Sequence, residues 1–267
     1  MKEKNKKRSP LKERPLRYAG QSLEEQIEDI LLDALYWFLL PGMTIILTVG
    51  DWIRFLNPQP PTRPILLTII AVILLSVGIF RIFRGLKKVN RLKMARDGEK
   101  LVAEELQALL KDGGTVFHDI IGDKFNIDHV VVSTRGVYLI ETKTYSKPIK
   151  KEAIISFDET HIYVDGYKVE REPIKQAKAL SKWLQGLLMQ TTGRNFPVYP
   201  VILFPGWYTE TTKRGQGFWV LNPKALPKFI ANEPLKINDS DVHLITYHLS
   251  RYVKVKEMSK SNVPTQN

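Results

Sequence analysis

Two stretches of the chain carry no charge at all. Residues 34–50 (ALYWFLLPGMTIILTVG) and 64–80 (PILLTIIAVILLSVGIF) are apolar and uncharged for 17 positions each. A helix crossing a bilayer core takes roughly 17–25 apolar residues. The pattern therefore predicts two transmembrane spans, at 34–50 and 64–83, with Ile82 and Phe83 extending the second. Segment 22–33 (SLEEQIEDILLD) has amphipathic spacing and reads as a helix entering the first span, Ser22 and Glu25 forming a capping box. From residue 97 the pattern changes. Apolar positions at 102, 106, 109 and 110 have helical spacing, and Gly113-Gly114 ends the helix. TVFHDII (115–121) reads as a strand. NIDHVVVSTRGVYLIETK (126–143) reads as a β-hairpin turning at Thr134-Arg135-Gly136, because β-branched and aromatic residues fill both arms. Short strands follow at 152–157, 161–165 and 167–170. Pro173 starts a helix running to about Gln190. The run VILF (201–204) fits a strand covered on both faces, and FWVL (218–221) gives another. Helices at 223–231 and 239–252 close the series.

This order of elements predicts an α/β domain, a sheet with helices on its sides, preceded by a transmembrane helical hairpin. The expected organisation is a disordered basic N-terminus (1–21), a membrane hairpin with basic linker (22–96), a cytoplasmic domain (97–256) and a disordered tail (257–267).

Charge changes the picture in one respect. The net charge of +12 suggests a nucleic-acid binder, but residues 1–96 hold 17 Lys and Arg against 8 Asp and Glu, and residues 97–267 hold 23 against 20. The surplus brackets the spans. Lys2, Lys4, Lys6, Lys7, Arg8, Lys12, Arg14 and Arg17 precede the first; Arg81, Arg84, Lys87, Lys88, Arg91, Lys93 and Arg96 follow the second. The loop between has only Arg54 and Arg63. The positive-inside rule then places both termini in the cytoplasm, giving a multi-pass membrane protein. Neither uncharged run, 34–50 or 64–80, holds a charged residue within it, which argues against a transporter. The chain has no cysteine, which excludes disulfides and thiolate metal sites. Its five histidines show no zinc-type spacing with partners, and His118 and His129 read as structural.

Candidate chemistry sits at the end of the hairpin. Side chains alternate along a strand, so Glu141 and Lys143 share a face. In an antiparallel hairpin the start of one arm lies beside the end of the next, so Asp128 can reach Glu141. Two carboxylates and a lysine at a sheet end are costly to desolvate unless compensated. A divalent cation would compensate them; the plain alternative is a structural ion-pair cluster. Glu99 shares a helix face with Val102 and Leu106, although an acid at a helix start also suits the dipole. Gln176, near the start of the 173–190 helix, is placed to face the hairpin.

ARDGEKLVAEEL, NIDHVVVSTRGVYLIETKT and EPIKQAKAL together resemble the nuclease-related domain (NERD) family, over roughly 94–205. That family is similar to the PD-(D/E)xK restriction-endonuclease-like nucleases. The resemblance implies their fold, a mixed β-sheet flanked by helices, and divalent-metal-dependent hydrolysis of phosphodiester bonds. Carried over residue by residue, Glu99 matches the family's helix acid, Asp128 its metal-binding aspartate, Glu141 and Lys143 its ExK, and Gln176 the glutamine of the following helix. The resemblance implies Mg²⁺ or Mn²⁺ held by Asp128, Glu141 and Glu99, with nucleic acid as partner, DNA ahead of RNA. Lys147, Lys150, Lys151 and Lys175, with Tyr145, form either a candidate phosphate-contacting rim or a solvated charged surface. The expected function is a membrane-anchored nuclease. The alternative is a catalytically inactive, membrane-anchored nucleic-acid-binding or scaffold module that keeps the fold.

Overall fold

A computed structural model describes residues 16–56, 64–111, 113–147, 154–158, 160–169, 172–210 and 217–262. The chain divides into two compact units: Gln21–Asp97, and a second that joins the segment ending at Gly20 to everything from Gly98 onward.

The first unit is a helical hairpin of α1 (Gln21–Leu56) and the greater part of α2 (Pro64–Lys111). Both helices are long and apolar enough to cross a membrane, and only 6% and 11% of their most apolar windows are buried. Ile46, Ile65, Phe80 and many similar side chains on them are exposed. Pro41 lies inside α1 and has no amide hydrogen to give the carbonyl four residues earlier, that of Trp37. Gly78 packs on that same carbonyl, where an added Cβ would lie 2.7 Å from the Trp37 oxygen. The hydroxyls of Thr44 and Thr48 donate to the carbonyls of Pro41 and Thr44 at 2.8 and 2.7 Å. Lys, Arg and Leu are good helix formers, and residues 84–97 continue α2 as helix instead of forming a linker.

The second unit is mixed α/β. Its main sheet has the order β1-β2-β3-β7-β9, from β1 (Thr115–Ile121), β2 (Asn126–Ser133), β3 (Gly136–Thr142), β7 (Val198–Leu203) and β9 (Trp219–Leu221). The first three strands are antiparallel; β3, β7 and β9 are parallel. On one face, Val130, Val132, Val137 and Leu139 pack on Leu180, Leu184 and Leu188 of α3 (Pro173–Thr192) and on Ile245 and Leu249 of α5 (Asp239–Asn262). On the other, Val131, Tyr138 and Ile140 meet Val102 and Leu106 of α2 and Leu226 and Ile230 of α4 (Leu226–Ala231). With both faces covered, the central strands carry continuous apolar runs. Gly136 begins β3 at φ 131° against the Tyr199 ring, a conformation that favours glycine.

The short strands form a separate sheet, β6-β5-β4-β8: β4 (Ile154–Phe157), β5 (Ile162–Val164), β6 (Tyr167–Lys168) and β8 (Tyr208–Thr209). β8 was not expected from the sequence. A third apolar cluster ties Ile155 and Ile162 of this sheet to Ile174 and Ala177 at the start of α3.

Two expectations of disorder are corrected. Arg17, Ala19 and Gly20 are buried, so disorder does not extend through residue 21; residues 1–15 lie outside the described residues. The C-terminal helix continues through Asn262 instead of fraying at 257; past the packed Leu249, Tyr252 and Val253, Lys256 pairs with Asp123 and Glu257 with Arg17.

Candidate active site

The β2–β3 pairing ends at His129 and Ile140, and one step further along the same register sets Asp128 beside Glu141. The Thr142 amide closes that step by donating to Asp128 Oδ2 at 2.6 Å. On the other side, Glu141 and Thr142 pair with Ile202 and Leu203 of β7, and the Lys143 amide donates to the Leu203 carbonyl at 2.8 Å. Parallel pairing therefore fixes the backbone of all three ExK residues.

Glu141 is 4% exposed. Its Oε1 accepts from Lys143 Nζ at 2.6 Å and from Gln176 Nε2 at 2.8 Å. Lys143 also donates to Gln176 Oε1 at 3.1 Å. Gln176 reaches the hairpin because Pro173 starts α3 and buried Ile174 and Ala177 pin its first turn. The second oxygen of Glu141, Oε2, is buried with no hydrogen-bond partner.

Glu99, 8% exposed, is carried in by α2. Gly98 lets the helix come close: a Cβ there would fall 2.2 Å from Thr144 Oγ1, just past the ExK strand. Burial pushes the Glu99 carboxyl up to about 7; neighbouring Asp119 adds to this, the Gly20 amide opposes it, and Glu141 and Lys143 contribute in opposite senses. Asp128 is raised well above the usual carboxylate range, first by burial and then by Glu141 and Glu99, against the Thr142 amide and Lys143. The fold thus gathers Glu99, Asp128, Glu141, Lys143 and Gln176 at one sheet end. Among the described residues no three His, Cys, Asp or Glu side chains form a ready-made metal-ligand group.

Two nearby residues escaped the sequence reading. Asp119 is 3% exposed with φ 49°. The pairs His118–His129 and Ile120–Ile127 on either side leave it opposite Asp128. Arg17, counted with the basic flank, is 4% exposed and donates from Nε and Nη2 to Asp119 Oδ2 at 3.0 and 2.8 Å. The one sequence signal was an aspartate in the apolar row of β1.

The rim is only partly assembled. Tyr145 stacks on Phe204, 6.0 Å between centroids, and its carbonyl accepts from the Trp207 indole at 3.2 Å; packing against the third cluster occupies it. Lys175 pairs with Glu172 at 3.3 Å in an exposed position. Lys147 lies against Gly206, and Lys150 and Lys151 lie outside the described residues. His118 and His129 face each other with Nδ1 atoms 2.8 Å apart. Burial holds both below the usual imidazole range, His129 well below it.

The model of the nuclease-related domain (NERD) matches residues 95–205, an interval that includes Glu99, Asp128, Glu141, Lys143 and Gln176. No curated protein and no solved structure matches the chain.

Proposed function

We propose, from the match of residues 95–205 to the nuclease-related domain, that the protein is a membrane-anchored, divalent-metal-dependent nuclease that hydrolyses phosphodiester bonds of nucleic acid, DNA in preference to RNA. The observation that carries this reading is Glu141. It is buried, one oxygen is held by Lys143 and Gln176, and the other is buried without a partner. A buried carboxylate oxygen left unpaired is costly, and Asp128 and Glu99 beside it are both pushed toward protonation. Hard oxygen donors at a site short of positive charge fit Mg²⁺ or Mn²⁺, which usually keep several waters and take few carboxylates.

Asp128, Glu141 and Glu99 would hold the ion. When bound, it supplies Lewis-acid polarisation of the scissile phosphate and acidifies a water. The chain's own residues do the rest. Lys143 has three ammonium donors, two of which go to Glu141 and Gln176; the third is available to a phosphate oxygen as charge develops on it. Gln176 fixes the Lys143 rotamer by accepting from it, and fixes Glu141 by donating to it. The Thr142 amide holds one Asp128 oxygen and so sets the direction of the other.

α1 and α2 supply the anchor in this reading, with both termini cytoplasmic and the 51–63 loop outside. The experiment is Mn²⁺-dependent cleavage of DNA and RNA by the detergent-purified full chain, with Glu141→Gln as control. The second reading, an inactive binding or scaffold module, draws on the 2.6 Å Lys143–Glu141 pair, which by itself could be a structural cluster. Nucleic-acid binding without cleavage would favour it.

A further inference from the structure

We propose that the N-terminal strap, residues 16–20, is part of the site. Arg17 is a positioning residue that clamps the strap onto Asp119 and so holds the Gly20 amide on the Glu99 carboxylate. This deepens the nuclease reading and rests on it.

The strap is built to dock. Leu16 and Tyr18 are 40% and 51% exposed, whereas Arg17 and Ala19 are buried, the alternation of an extended segment lying on a surface. Arg17 is too well connected to be a solvated flank charge. Its side chain is 2% exposed; Nε and Nη2 hold Asp119, and Nη1 pairs with Glu257 on α5. A buried guanidinium is stable only when its donors are met by charge, so the strap, β1 and α5 are fastened at one point. Three residues on, the Gly20 amide donates to Glu99, at φ 77°, a backbone conformation that favours glycine.

Asp119 supports the same conclusion from the other side. A non-glycine residue at positive φ inside a strand is uncommon, and such conformations persist where the surroundings over-determine them. Here the surroundings include the Arg17 guanidinium on the Asp119 carboxylate and, opposite in the register, Asp128. In that position Asp119 still acts electrostatically on Glu99. Three residues outside the ExK hairpin therefore bear on the acid nearest the strap: Asp119 pushes its carboxyl up, the Gly20 amide pulls it down, and Arg17 holds Asp119. A fragment starting at residue 94 would lack two of the three.

The test uses the full chain in detergent at a temperature where every variant is folded by near-ultraviolet circular dichroism. Mn²⁺ affinity is measured by calorimetric titration, and backbone exchange by mass spectrometry. Arg17→Gln with Asp119→Asn removes both charges together, leaving no buried ion behind. Gly20→Val leaves the clamp intact but disfavours the conformation that aims the amide at Glu99. Gly20→Val is expected to weaken Mn²⁺ binding by roughly tenfold, the scale of a hydrogen bond to a charged group, and both variants are expected to speed exchange in the strap. A purely structural strap would lower the melting temperature and leave the Mn²⁺ affinity of the folded protein unchanged. Wild-type affinity in the folded Gly20→Val protein would overturn the proposal, even if the double variant failed to fold. A wild type that neither binds Mn²⁺ nor cuts would overturn the nuclease reading instead.

Discussion

The ammonium of Lys143 lies 2.6 Å from Oε1 of Glu141, two positions earlier at the same strand end. As a structural pair the contact would be hard to break, because removing one partner of a buried pair costs about 3–5 kcal/mol. As half of a metal site, the lysine can be dispensed with once an ion neutralises the acids. Lys143→Met is therefore expected to be destabilised without metal, to regain most of that loss with Mn²⁺, and to lose cleavage. Lys143→Arg should fold and cut poorly, since a planar fork does not replace a compact ammonium. Denaturation curves with and without Mn²⁺, and single-turnover cleavage on the same preparations, check this.

Glu99 predicts a pH dependence. Its folded pKa is raised to about 7, chiefly by burial, above the ~4.3 of a free glutamate. The folded state therefore holds this proton more tightly than the unfolded chain. The associated stability is fully present below about pH 4.3 and is lost as pH rises toward 7. Glu99→Gln should remove that loss, making the metal-free variant more stable than wild type at pH 8, on the order of 4 kcal/mol at most. Mn²⁺ should stabilise the wild type at pH 8 more than it stabilises the variant. Equal metal-free stabilities at pH 8 would contradict the assignment.

The histidine pair predicts the opposite slope. Burial depresses both His118 and His129 below the ordinary imidazole value, so on acidification the unfolded chain takes up protons first. Stability from this source is intact above about pH 6.5 and falls as pH drops below it, by up to ~1.4 kcal/mol per unit for each histidine. Replacing both by leucine should flatten denaturation midpoints between pH 7 and 5. A variant with the wild-type slope would remove the pair as its cause.

The anchor reading is tested by thiol labelling, which is clean because the chain has no cysteine. With basic residues flanking both spans, Gln59→Cys is expected to react with an impermeant maleimide in intact cells. Protection in intact cells followed by labelling after lysis would reverse the orientation.

Much of the site was legible because it is local. Glu141, Lys143 and Asp128 lie on one hairpin whose two-residue alternation is readable, and Pro173 marks the helix start that presents Gln176. Arg17 and Asp119 were not legible, being 102 residues apart in the chain and dependent on a left-handed residue inside a strand. Positive flank charges carry no mark to show which one the fold will bury. β8 was missed because a two-residue strand has no period of its own; its pairing with Ile154 and Ile155 defines it. The continuity of α2 was missed because a basic run reads as a linker, although its Lys, Arg and Leu residues favour helix.

Gly98→Ala sets two effects against each other. Alanine favours the helix by up to ~1 kcal/mol, but its Cβ would meet Thr144 Oγ1 at 2.2 Å. The expected result is a protein of near-normal stability whose Mn²⁺-induced rise in melting temperature is reduced, because Glu99 has moved. A full metal response would show that the close approach at Gly98 does not set the site.

The central claim is most directly tested by cleavage with the full chain in detergent. Labelled DNA and RNA are incubated with wild type and Glu141→Gln, with Mn²⁺, with Mg²⁺ and with chelator, after both proteins are shown to be folded. The account predicts metal-dependent cleavage by the wild type, abolished by chelator and by Glu141→Gln. Cleavage that survives chelator or the substitution, or a folded, Mn²⁺-binding wild type that cuts neither nucleic acid, would contradict it.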